Sequence, residues 1–166
     1  AIEPMPQEFR TRVVLLTRNL DIGGTEIQLV NLAKGLTAYN KDLRVVTFYS
    51  QGALKCELEK HGVRVVSLDK NNRWDIFRFA YRFVLFLFSF RPHVIYSFLT
   101  GPNLCAIFGK LICPKLQVIW GLRASTPDSN LRSNDYLVSL AFRFSRRICS
   151  IPDKIIVNSE RSLEYY

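Results

Sequence analysis

The chain has 166 residues, enough for one domain with a buried core, and 48% apolar against 22% charged residues exclude an intrinsically disordered protein. Eight glycines and seven prolines exclude collagen-like and low-complexity classes. Lys and Arg number 23 against 14 Asp and Glu, a net charge of +9 that favours anionic company: nucleic acid, a membrane surface or a phosphorylated ligand.

Residues 1–10 (AIEPMPQEFR) hold no apolar stretch of the signal-peptide kind and read as a flexible lead-in. Residues 12–17 (RVVLLT) are rich in β-branched side chains, as a strand buried on both faces requires. A turn-rich loop, 18–24 (RNLDIGG), leads to a helix with Leu29, Leu32, Ala33 and Leu36 at helical spacing. Thr25 and Gln28 have capping-box spacing, which predicts a helix start beside the glycines. Residues 43–49 (LRVVTFY) form the second predicted strand, 53–60 a short helix ended at His61-Gly62, and 63–68 (VRVVSL) the third strand. A long helix over 74–90 is stopped by Arg91-Pro92. Then come a strand at 93–98 (HVIYSF), a helix at 101–111 and a strand at 116–120 (LQVIW). A polar loop at 125–134, a helix at 135–149, a sixth strand at 153–158 (DKIIVN) and the opening of a further helix complete the pattern.

Strands alternating with helices in this way predict an α/β fold, a Rossmann-like doubly wound parallel sheet of about six strands with helices on both faces. In such a sheet ligands bind at the carboxyl ends of the strands, so the 19–25 loop (NLDIGGT) is well placed. Adjacent Gly23 and Gly24 let backbone N–H groups approach an anion, and the next helix adds its dipole. The loop is neither G-x-G-x-x-G nor a P-loop, so a tight turn without ligand stands beside the anion-binding reading. Cys56, Cys105, Cys113 and Cys149 lie far apart, and His61 and His93 sit in no ligand spacing, which argues against a zinc site and for small apolar fillers.

The 74–90 helix (WDIFRFAYRFVLFLFSF) places Asp75, Arg78, Arg82 and Ser89 in one narrow polar stripe. It reads either as a core helix with a thin solvated edge or as one whose flank touches lipid or a partner. A second basic-aromatic cluster, FRFSRR at 142–147, supplies Arg143, Arg146 and Arg147, and the five arginines are candidates for an anionic membrane surface. The apolar run at 83–90 has eight residues, too few to span a bilayer, which takes about 20. No nucleic-acid motif accompanies the positive charge, so nucleic acid is not an expected partner.

Residues 12–46 (RVVLLTRNLDIGGTEIQLVNLAKGLTAYNKDLRVV) resemble the amino-terminal opening of the group 1 retaining glycosyltransferases of GT-B architecture: a strand, a Gly-Gly-Thr-Glu loop, then an N-L-A-x-x-L helix. Residues 118–123 (VIWGLR) are similar to that family's fifth-strand segment, and 152–160 (PDKIIVNSE) to the segment closing its first lobe. The resemblance implies one lobe, residues 11–166, of a two-lobed enzyme, with the nucleotide-sugar lobe lying outside this chain. Such an enzyme moves a sugar from a nucleotide-diphosphate donor to a glycan or lipid-linked acceptor in cell-envelope polysaccharide or glycolipid synthesis, with retention and without an obligate metal or other cofactor. It implies that Gly23, Gly24 and Thr25 meet the donor phosphate or sugar. Asn19, Thr100, Arg123, Asn158, Ser159 and Glu160 would face the acceptor, and Arg123 stands at the cleft position where many relatives carry histidine, as the catalytic candidate. A cytoplasmic place, peripheral on the inner face of the cytoplasmic membrane, goes with that reading. A non-catalytic Rossmann-like module for a phosphorylated ligand and a nucleotide-sugar 2-epimerase remain open alternatives.

Overall fold

The computed structural model describes residues 11–39, 42–71, 75–122 and 150–157. In chain order the elements are β1 (Val13–Thr17), α1 (Gly24–Thr37), β2 (Leu43–Thr47), α2 (Lys55–Lys60), β3 (Arg64–Ser67), α3 (Ile76–Phe90), β4 (Val94–Phe98), α4 (Thr100–Ile112), β5 (Gln117–Leu122) and β6 (Lys154–Val157). The strands form one parallel sheet in the order β3-β2-β1-β4-β5-β6. This is the Rossmann-like α/β architecture that the alternating pattern predicts.

Alternation along β1 builds both cores. Val14 and Leu16 face a cluster holding Phe83, Phe86 and Leu87 of α3 with Ala106 and Ile107 of α4. Leu15 faces the opposite cluster with Leu29, Val30 and Ala33 of α1 and Leu58 of α2. A strand buried on both faces favours apolar side chains at successive positions, which is why 13–16 (VVLL) reads as an unbroken run. The two edge strands are the shortest, four residues each, and carry exposed Arg64 and Lys154, which blunt the open edges.

Several boundaries differ from the sequence reading for identifiable reasons. β2 ends at Thr47 because the N–H groups of Phe48 and Tyr49 turn to the Arg18 carbonyl (3.1 and 3.3 Å). α2 starts at Lys55 because the Leu54 N–H donates to the Leu20 carbonyl (3.0 Å). The Thr25–Gln28 capping box does not form the helix start: Gly23 is the N-cap of α1, with no side-chain cap bond. α3 ends as expected before Pro92, with Arg91 left-handed (φ 51°) and its N–H on the Leu87 carbonyl at 2.8 Å.

The water-facing side of α3 is wider and more apolar than the predicted stripe. Phe77 is 92% and Tyr81 64% exposed, with Leu85 and Phe88 also outside the core. The helix has only one sheet face to pack on, so its remaining apolar residues stay at the surface. Arg82, read as part of the polar edge, turns its guanidinium onto Asp69 (2.8 Å) and the Leu68 carbonyl (3.3 Å). Among the free thiols, Cys105 and Cys113 pack against the core as fillers, whereas Cys56 is exposed. Burial pushes the Cys105 thiol well above its ordinary value.

Phe83→Ala is expected to cost about 3–5 kcal/mol in urea unfolding and Phe77→Ala less than about 0.5 kcal/mol, since only the first empties a packed volume. The start of β6 gives a pH prediction. The Asp153 carboxylate is held below the usual range, first by the Lys110 ammonium and then by the Val118 N–H at 2.7 Å. A depressed folded-state pKa stabilises above the unfolded value of about 3.9, and that contribution disappears as pH falls through the lower folded value. Acid melts of Asp153→Asn should therefore show a shallower loss of stability below about pH 4 than the parent.

Candidate functional site

The strand order reverses between β1 and β4, and their carboxyl ends open a crevice bordered by the loops that follow them. Gly23 and Gly24 stand on one side of it at the start of α1, and Thr100 on the other at the start of α4. Gly23 is extended (φ −151°), a conformation open to any residue. A Cβ there would meet only the carboxylate end of the Glu26 side chain, which is buried and folded back onto the loop and would have to shift. A Cβ on Gly24 would meet nothing within 4 Å, so space lies on that side. Without a side-chain cap, the first N–H groups of α1 are left to whatever occupies that space.

On the far side, Leu99 links β4 to α4 with a positive φ of 75°, a strained conformation for a leucine. Buried Asn103 holds it there. In the orientation that satisfies its surroundings, the Asn103 amide nitrogen donates to Ser97 Oγ (2.6 Å) and to the carbonyls of Ser97 (3.1 Å) and Leu99 (3.3 Å). Its backbone N–H also reaches the Leu99 carbonyl at 3.0 Å. The bonds lock the turn that presents Thr100, half-buried at the crevice.

Beside the crevice, the loops after β1, β2 and β3 border an open, mostly polar pocket of about 370 Å³. Arg18 and Asn19 come from the first loop, Tyr49 to Gln51 from the second, and Lys70 with Asn71 from the third. The Arg18 guanidinium lies 5.8 Å from the Tyr49 ring centroid and the Lys70 ammonium 5.4 Å from that of Phe79. Apart from Asn19, the sequence reading missed these residues. The usable signal is position alone: each lies one to four residues beyond the end of a strand.

Of the predicted site residues, Asn19, Gly23, Gly24, Thr25 and Thr100 lie at the carboxyl ends of β1 and β4. Asn19 is half-buried and donates to Asp21 Oδ2 at 2.5 Å. Arg78 is exposed on α3. Arg123, Asn158, Ser159 and Glu160, with Arg143, Arg146 and Arg147, lie outside the described residues. His93 accepts the Arg12 backbone N–H on Nδ1 (3.0 Å) at the opposite, amino end of the sheet. Among the described residues no group of His, Cys, Asp and Glu could hold a metal ion, and no helix is long and apolar enough to cross a membrane.

Solved structures share this architecture at low identity. Anabaena Alr3699/HepE, crystallised with UDP and glucose, aligns with a TM-score of 0.68 at 18% identity over 93% of this chain and 40% of its own. A glycosyltransferase from Rickettsia africae gives 0.57 at 14% identity over 95% of this chain and 48% of its own. Acinetobacter baumannii MurG gives 0.55 at 11% identity over 88% and 41%. The chain thus spans less than half the length of these structures, and its sheet corresponds to one lobe of the GT-B glycosyltransferase fold. No curated protein matches the sequence. Residues 22–166 match the family model of Glycosyltransferase Family 4, and the chain belongs to that family.

Proposed function

We propose that this chain is the acceptor-side lobe of a retaining glycosyltransferase that takes a hexosyl or related unit from a nucleotide-diphosphate sugar. The observation that carries the reading is the Gly23–Gly24 start of α1 at the switch point, filled by Glu26 on one side and open on the other. A diphosphate on the Gly24 side would meet uncapped N–H groups and the positive end of α1, and Thr25 follows within reach of the same group. The UDP and glucose in the Anabaena structure support a uridine-diphosphate sugar as donor. Positioning and stabilisation of phosphate charge would carry the chemistry, without a metal or other cofactor.

On this reading Asn19 and Thr100 face the acceptor, together with Arg123, Asn158, Ser159 and Glu160. Arg123 is the candidate for neutralising charge on the reacting groups. The acceptor is a glycan or a lipid-linked sugar of cell-envelope polysaccharide or glycolipid synthesis. A charge of +9, exposed Arg78 and the exposed aromatic side of α3 support work at an anionic membrane surface, on the cytoplasmic face of the inner membrane.

The test is transfer from UDP-glucose by the complete enzyme. Gly23→Ala should lower kcat/KM at least tenfold while leaving the melting temperature nearly unchanged, because only the end of the flexible Glu26 side chain must move. Unchanged transfer in Gly23→Ala would remove the loop from the donor site. The 166 residues alone should show no transfer, since half a cleft cannot hold donor and acceptor together; turnover by the isolated chain would overturn the one-lobe reading.

A further inference from the structure

We propose that the pocket at the carboxyl ends of β1, β2 and β3 binds an anionic sugar, with its phosphate or carboxylate between Arg18 and Lys70 and its hydroxyls on the surrounding amides. The inference rests on the acceptor-lobe reading and names the chemical class of the acceptor.

The wall chemistry selects a hydroxyl-rich ligand. The pocket has no aliphatic lining residue, and its one ring, Tyr49, lies against the Arg18 guanidinium. Asn19, Gln51 and Asn71 offer amide donors and acceptors, and Ser50 a hydroxyl. An acyl chain would find no aliphatic side chain to pack on there. A volume of about 370 Å³ lies within the usual range of roughly 300–1,000 Å³ for small-molecule sites.

The charge selects an anion. The ion pairs of the described residues, Lys34–Glu57, Arg82–Asp69 and Lys110–Asp153, use neither Arg18 nor Lys70. Asp69, the neighbour of Lys70 in the chain, is occupied by Arg82 at 2.8 Å. Asp21, the one acid lining the pocket, accepts the Asn19 amide and keeps its charge, so Arg18 and Lys70 leave the pocket positive by one. Ring faces orient the two cations without neutralising them, so they retain the charge that an oxyanion would meet.

The pocket is also preorganised. The Arg18 carbonyl accepts the N–H groups of Phe48 and Tyr49, and the Lys70 N–H donates to the Phe48 carbonyl at 2.8 Å. These bonds tie the three loops into one floor. Gly52 closes the second loop against the first: its φ is +151°, and a Cβ would come within 2.6–2.7 Å of the Leu20 backbone. A ligand therefore orders little on binding, and less of its interaction energy is lost to that ordering. Residues 18–21 lead through Ile22 into Gly23, so a sugar held here borders the crevice where the donor is proposed to sit.

The test is calorimetric titration of the 166-residue chain with α-D-glucose 1-phosphate, D-glucuronate, D-glucose and inorganic phosphate. At least one charged sugar should bind tenfold or more tightly than both glucose and phosphate, and which of the two does so distinguishes a phosphate from a carboxylate ligand. Arg18→Gln and Lys70→Gln should each weaken that binding at least tenfold with an unchanged melting temperature, while Gly23→Ala should leave it intact. Equal binding of glucose, equal binding of phosphate alone, insensitivity to both substitutions, or no binding of either charged sugar would each overturn the proposal. Charged-sugar binding without sugar transfer by the complete enzyme would sink the proposed function and spare the pocket; transfer to neutral acceptors without such binding would sink the pocket alone.

Discussion

The pairing of β1 between β2 and β4 is the constraint on which the rest of the structure depends. Val13 to Thr17 aligns with Leu43 to Thr47 on one side, and Val13 to Leu16 with Val94 to Ser97 on the other. Because the strands run parallel, every carboxyl end faces the same way. The chain winds outward from β1 through β2 to β3 and then crosses to β4, so the loops after β1 and β4 part and leave a crevice. Moving β1 by one residue would exchange Leu15 with Val14 and Leu16 between the two cores. The core and the crevice are therefore set by one register.

The two sides of the crevice are held by different means. At the start of α1 a missing Cβ lets the buried Glu26 carboxylate tuck under Gly23, and the loop stays close to the helix end. At the start of α4 a strained Leu99 is held by the buried Asn103 amide. Strain of this kind costs of order 1–3 kcal/mol and persists only where the surroundings over-determine it, as the Ser97–Asn103 bonds do here. Both devices bring backbone close to the opening rather than filling it with side chains.

α3 serves two sides of the molecule. Its inner residues Phe83, Phe86 and Leu87 complete the core, and Phe79, one turn earlier, packs edge-on against Phe48 at 4.6 Å while carrying the Lys70 ammonium over its ring. The pocket floor is thus continuous with the hydrophobic core, and that rigid support positions the cation. The outer residues Phe77, Tyr81 and Phe88 take no part in either.

Much of the fold was legible in the sequence, because hydrophobic runs and breakers are local signals. The unbroken apolar run of β1, the periodicity of α1 and the stop at Arg91-Pro92 each report the burial or backbone geometry of their own segment. The Gly23–Gly24 loop was legible for the same reason, by its place between a strand and a helix. The errors came where a group could bond across loops. β2 stops early and α2 starts late because N–H groups of the second loop find carbonyls of the first, partners some 30 residues away in the chain. Arg82 reads as solvent-exposed charge from its helical position, and only the fold brings Asp69 beside it. The sequence by itself determined the order of the described strands and helices, the parallel class of the sheet and the loop that starts α1; the predicted 125–134 loop and 135–149 helix lie outside the described residues. Only the tertiary structure decided that Arg18, Tyr49 and Lys70 share one pocket, because their meeting depends on which strands lie side by side.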